Sequence, residues 1–272
     1  MSETKNNKAA KRISGFSSVI SFLVMALALI VGIIIYDKIF GDPANFIDGE
    51  LRGEPKENNF YGVIYKGGFI VPGLVAINII ILIFSLERMI TLLLANGKGN
   101  TRKFIVSIKE SLASGNYDSA IAACDKKKGS LANVVRAGVE KYRNVALDKS
   151  LDKEQKIEAV KKELDEATAL ELPMLSKNLS VLSTCASIAT LVGLIGTVLG
   201  MIRSFAAMSS GSPDTAALAT GISEALINTA FGITASTVAI IMYNVFTTRI
   251  DGITYGIDES GFTLTQSFAA NY

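Results

Sequence analysis

Histidine and tryptophan are absent from this 272-residue chain, and it has only two cysteines and five prolines. Without histidine the commonest general base and the commonest metal ligand are missing. Two cysteines can neither complete a zinc site nor build a disulfide framework, so no metal and no cofactor is expected. Charge is scarce as well: Asp, Glu, Lys and Arg make up 19% of the residues, below the roughly 25% of a soluble domain. A net charge of +2 and a pI of about 8.4 give no basic field of the kind that nucleic-acid binding requires. No phosphate-cradling glycine loop, nucleophile elbow or convergent carboxylate pair is found, and the chain is not expected to be an enzyme.

What is present is apolar sequence. Hydrophobic residues reach 49% of the chain and mean hydropathy is +0.38, which points to a membrane. A spanning helix needs about 20 mainly apolar residues, and four stretches qualify: Ile13 to Tyr36, Phe69 to Leu94, Leu179 to Ile202 and Ile222 to Phe246. The first has a signal-peptide-like basic start (Lys5, Lys8, Lys11, Arg12). Its apolar run is too long, and no small-x-small site follows at Tyr36-Asp37-Lys38, so an uncleaved anchor is expected. The last two spans exchange Leu and Ile for Ser, Thr, Gly and Ala, the composition of helices that face other helices or a pore.

Loop charge sets an orientation. Residues 1–12 carry four Lys/Arg, and the stretch from Lys98 to Lys177 is rich in both. Residues 204–221 carry none, and 41–67 hold Arg52, Lys56 and Lys66 against five acids. The expected organisation is therefore an all-α polytopic protein with both termini cytoplasmic. It has a tail at 1–12, an N-terminal span at 13–40, a periplasmic segment at 41–67 and a second span at 68–96. A helical cytoplasmic domain at 97–178 follows, then a third span at 179–203, a periplasmic loop at 204–221, a fourth span at 222–248 and a tail at 249–272. The segment 41–67, with Phe46, Phe60 and Tyr61, reads as a short amphipathic piece.

The 97–178 region has helical periodicity. Phe104, Ile105, Ile108 and Leu112 share a face and Gly115 is a stop; Tyr117 to Cys124 is a short helix; Ser130 opens a third. Ser150 or Asp152 caps a longer helix that carries Glu158 and Lys162 at i,i+4. The run Lys126-Lys127-Lys128 reads as a solvated helix end, with contact to anionic lipid headgroups as the alternative. Cys124 and Cys185 read as small buried hydrophobes.

The third and fourth spans carry polar stripes. Ser183, Ser187, Thr190 and Thr197 fall along one face, flanked by Gly193, Gly196 and Gly200, whose spacing allows close backbone approach. On the fourth, Ala225, Thr229, Gly232, Ser236 and Tyr243 form a second stripe. Each hydroxyl could simply return to the carbonyl one turn earlier; two aligned stripes argue for a packed or pore-lining surface. Glu224 stands at the entrance of the fourth span with Asn228 one turn deeper. It is either a functional carboxylate or an interfacial one that reaches out to water. Arg203 is either its partner or an interfacial anchor. No span holds an acid at mid-depth, so a titrating group for ion movement would have to come from another polypeptide.

The motifs LVGLIGTVLGMIRSF (Leu191 to Phe205) and GISEALINTAFGI (Gly221 to Ile233), with Tyr243-Asn244 and the Glu87-Arg88 pair, carry a family pattern. The sequence resembles the MotA/TolQ/ExbB proton-channel family, ExbB/TolQ branch, over roughly Phe69 to Arg249. The resemblance implies a homopentamer in the bacterial inner membrane whose last two spans surround helices of an ExbD/TolR-like single-span partner. That partner supplies a membrane Asp, and a TonB- or TolA-like protein passes work to the outer membrane. It implies that Thr197 and Thr229 are pore threonines, with Ser236 and Thr190 along the same pathway, that Gly193, Gly196, Gly200 and Gly232 pack the helices, and that Glu224 is the sensitive carboxylate. Where the family has prolines this chain has Thr190 and Val238, and the first span is an addition to the usual three of the ExbB branch. A motility stator and a non-conducting membrane scaffold are the alternatives. Which outer-membrane process is served, and proton against sodium, are not decided by these residues.

Overall fold

The computed structural model describes residues 21–50, 53–148, 150–209 and 214–271; the expected tail at 1–12 and the start of the first span lie outside them. The chain is an all-α membrane protein. Among the described residues no β-strand occurs beyond one antiparallel bridge, Phe46 to Pro55. Four helical runs are long and apolar enough to cross a membrane: Ser21–Phe40, Gly68–Ala95, Lys153–Met208 and Thr215–Ala270. The helices are α1 (Ser21–Phe40), α2 (Phe60–Tyr65), α3 (Val71–Ala95), α4 (Thr101–Ala113), α5 (Tyr117–Lys127), α6 (Ser130–Leu147), α7 (Lys153–Ser176), α8 (Leu179–Ser209) and α9 (Thr215–Asn271). The described residues divide into two compact units, one of those within 21–85 and 181–242, the other of those within 86–180 and 243–271.

In the first unit α1 lies directly on α3. A Cβ on Gly32 would stand 2.7 Å from the Pro72 carbonyl oxygen. The last turn of α1, Tyr36–Phe40, is wound as a π-helix. It brings Tyr36 onto Tyr65, with ring centroids 4.6 Å apart and the phenol donating to the Tyr65 carbonyl at 3.1 Å. Residues 41–67 fold around Asn45, whose amide donates to the Ile39 and Phe40 carbonyls at 2.7 and 3.1 Å. Asn59 caps α2 and donates to Asn45 Oδ1 at 3.0 Å. Phe46 is fully buried with its ring edge-on to Tyr65, whereas Phe60 and Tyr61 stay exposed. The segment is thus a folded cap over Phe40, Ile64, Val71 and Val75 rather than a plain amphipathic strip.

The second unit is built on amphipathic helices whose caps are written in the sequence. Asn100 accepts from Arg102 and Lys103 N–H, and Asn116 from Ser119 N–H. Asp152, not Ser150, caps α7 in a reciprocal capping box with Gln155. α6 packs between α5 and α7. The C-terminal residues are not a loose tail: α9 runs unbroken through Asn271, and Ile253, Ile257, Leu264 and Phe268 are buried. Phe268 meets Tyr142 of α6 edge-on at 4.4 Å. The expected Glu158–Lys162 pair does not appear among the described ion pairs; Lys162 approaches Glu166 at 3.9 Å.

Lys127 corrects the solvated-end reading. It is 4% exposed and donates to the Gly99 carbonyl at 2.9 Å and to Thr101 Oγ1 at 3.3 Å. Burial pulls its ammonium below the usual lysine range. Glycines at 97, 99 and 129 with positive φ allow this strap, and Lys98 N–H donates to the Lys127 carbonyl at 2.6 Å. Within the same unit Arg88, 2% exposed, pairs with Glu87 at 2.5 Å and donates to the Leu175 carbonyl at 3.3 Å near the end of α7. Asn178 donates to Glu87 at 3.4 Å.

Candidate functional site

α8 and α9 meet along a seam of small residues. On α8 the buried face reads Ala189, Gly193, Gly196, Gly200, Ser204; on α9 it reads Gly221, Ala225, Asn228, Gly232. The backbones touch. A Cβ on Gly200 would stand 2.6 Å from the Gly221 carbonyl oxygen, and one on Gly232 2.6 Å from that of Ala189. Gly193 faces the Gly232 Cα, with its missing Cβ 3.2 Å away, and Gly196 sits under the Asn228 side chain. This is the geometry that small residues permit where no water drives helices together.

At the edge of this seam Thr197 and Thr229 bring their hydroxyls into direct hydrogen-bond contact. The Thr197 hydroxyl also lies 3.2 Å from the Gly193 carbonyl oxygen, which can only accept. Either hydroxyl can donate across the pair, since each rotates about its own C–O bond. Both threonines are half-buried, so the pair lies against an open face of the chain. Ser236 is buried on α9, while Ser183, Ser187 and Thr190 on α8 are exposed. The structure therefore brings Thr197 and Thr229 together and leaves Thr190, two turns away along the same face of α8, exposed.

The other feature is an ion pair five to six residues away along each helix. Arg203 Nη1 lies 2.5 and 2.6 Å from the two carboxylate oxygens of Glu224. The Glu224 side chain is 5% exposed and that of Arg203 51%. Of the two readings open for Glu224, reaching out to water is the one the structure does not show. The Arg203 guanidinium also lies over the Phe69 ring, 5.6 Å from its centroid. Gly68, with φ of +75°, passes beneath the carboxylate. Beside it the fully buried Asn228 donates to the Gly67 carbonyl at 2.9 Å, and its Oδ1 has no partner among the described residues. Sequence reasoning placed Asn228 next to Glu224 but did not find its tie to Gly67. Nothing in the local pattern of α9 signals a contact with a residue 161 positions earlier. Among the described residues no group of His, Cys, Asp or Glu could hold a metal ion.

Residues 126–259 match the MotA/TolQ/ExbB proton channel family. The Tol-Pal system protein TolQ of Pseudomonas aeruginosa is 35% identical over 117 residues, 43% of this chain and 51% of that protein. The biopolymer transport protein ExbB of Pseudomonas putida is 37% identical over 128 residues, 46% of this chain and 38% of that protein. An ExbB-like protein of Synechocystis sp. is 42% identical over 87 residues, 30% of this chain and 41% of that protein. The chain thus spans between about two fifths and one half of the length of these relatives.

Proposed function

We propose that this chain, whose residues 126–259 belong to the MotA/TolQ/ExbB proton channel family on its ExbB/TolQ side, is the channel subunit of an inner-membrane proton-driven motor. Five copies surround the spans of an ExbD/TolR-like partner, which brings the membrane Asp. A TonB- or TolA-like protein carries the resulting work to the outer membrane. The observation that carries this reading is the Thr197–Thr229 hydroxyl pair, held between two helices in backbone contact and turned to an open face.

The chemistry follows from the donor set. Hydroxyls do not titrate near neutral pH, but they donate to a carboxylate and accept from a carboxylic acid. A partner Asp beside them is solvated in either protonation state, which lowers the cost of carrying it through the membrane. Small residues keep the wall of the pathway rigid on α8 and α9, and the Glu224–Arg203 pair with Asn228 ties α8, α9 and the Gly67–Phe69 turn together at one end of it.

The test is proton uptake into liposomes under an imposed potential. Uptake is expected when the chain is reconstituted with a single-span partner carrying a membrane Asp, and not with the chain alone. Thr197→Val with Thr229→Val keeps shape and removes both hydroxyls, and is expected to lower uptake strongly. Conduction by the isolated chain, or full uptake by the double variant, overturns the assignment and leaves α8 and α9 as scaffold helices.

A further inference from the structure

The strap that buries Lys127 has a second consequence. Lys98 follows the last residue of α3, Ala95, by three positions, and the strap holds its backbone to Lys127 at 2.6 Å. Because Lys127 turns inward, its neighbours Lys126 and Lys128 turn outward and are exposed, as are Lys98, Arg102 and Lys103. Among the described residues none of these five cations has an ion-pair partner. The nearest acid in sequence, Asp125, is taken by Arg136 at 2.5 Å. Two of the cations, Arg102 and Lys103, occupy the first turn of α4, where no acidic residue offsets them and the helix dipole disfavours positive charge. Their placement is mildly unfavourable within the unit itself and leaves both charges open to an anion from outside it. In the last turns of α3 the apolar side chains of Leu93 and Leu94 are 61% and 71% exposed.

We propose that Lys98, Arg102, Lys103, Lys126 and Lys128, together with Leu93 and Leu94, form a seat for anionic phospholipid at the Ala95 end of α3. The leucines receive acyl chain and the cations receive the phosphate of the headgroup. Clusters of four to eight Lys/Arg directly beyond a spanning helix have this property in general, each residue contributing to attraction by a charged leaflet. Here a buried lysine fixes the cluster, so that binding the lipid orders no new backbone.

The test uses the full chain in detergent, titrated with phosphatidylglycerol and separately with phosphatidylcholine, and bound lipid counted by native mass spectrometry. Wild type is expected to retain phosphatidylglycerol preferentially, and added salt to erode that preference. Lys98→Gln with Lys126→Gln and Lys128→Gln is expected to weaken retention by roughly tenfold or more. The matching triple Arg variant is expected to keep it, which separates charge from misfolding. Equal retention of the two lipids by wild type, a preference indifferent to salt, or full retention by the Gln variant overturns the proposal. Displacement of the lipid by inorganic phosphate at equal concentration also overturns it, since the site would then recognise phosphate without lipid.

Discussion

Arg203 and Glu224 form a one-sided ion pair, in which a nearly buried carboxylate at the start of the fourth span is covered by a half-exposed guanidinium from the end of the third. Such a pair stabilises less than its short distances suggest, because desolvation offsets much of the attraction. Removing one partner is another matter. Arg203→Ala leaves the carboxylate buried and uncompensated, and is expected to destabilise the chain by about 1–3 kcal/mol, the lower part of the range because Arg203 is half in solvent. Glu224→Gln with Arg203→Ala should recover most of that loss. Thermal unfolding in detergent across the four members of this cycle checks it, and additive losses would contradict the pairing.

The seam between α8 and α9 makes a contrast among glycines. Gly232→Ala drives a methyl against the Ala189 carbonyl and is expected to cost about 1–3 kcal/mol or to part the helices. Gly252, farther along the same helix, is exposed with no atom near its missing Cβ. Gly252→Ala is expected to stabilise by about 0.5–1 kcal/mol through helix propensity alone. Unfolding midpoints of the two variants measured together decide whether backbone contact is the cause.

Thr229→Val should leave oligomer size and melting temperature near those of wild type while coupled transport falls. Thr229→Ser keeps the hydroxyl of the pair and is expected to retain more activity than Thr229→Val. The reverse order would show that the methyl, and therefore packing, is what matters at this position.

Cys124 is a buried thiol whose pKa is raised to about 12 from an ordinary value of 9.0, chiefly by burial and then by Asp125. Above pH 9 the unfolded chain releases this proton while the folded chain keeps it. The folded state then binds more protons, and stability falls as pH rises from about 9 towards about 12. In a Cys185→Ala background, Cys124 should resist iodoacetamide at neutral pH until denaturant is added, and Cys124→Ala should flatten the alkaline loss of stability. Rapid alkylation of the native protein would contradict the burial.

Much of the architecture is legible in the sequence because its signals are local. Long apolar runs mark the spans, and Asp152 announces a helix start. The apolar period of α4 is visible in Phe104, Ile105, Ile108 and Leu112. The burial of the last helix is harder to see. Ile253, Ile257, Leu264 and Phe268 keep a helical spacing, but Gly252, Gly256 and Gly261 and the acids Asp258 and Glu259 interrupt it, and the partner Tyr142 lies over a hundred residues away. Lys127 illustrates the same limit: one lysine of three turns inward because positive-φ glycines in two distant turns let Gly99 offer it a carbonyl. At the candidate site, residue types and spacing give the two polar stripes, and the family resemblance singles out Thr197 and Thr229 within them. Only the backbone contact at Gly193, Gly200 and Gly232 shows how closely the two helices that carry them approach.

The most direct test of the proposed motor is the native mass of the detergent-purified chain, alone and co-expressed with a single-span partner whose span carries an Asp. The account predicts five copies, joined by a small number of partner chains. A monomer or dimer that ignores the partner would contradict it and leave the threonine pair as a packing contact.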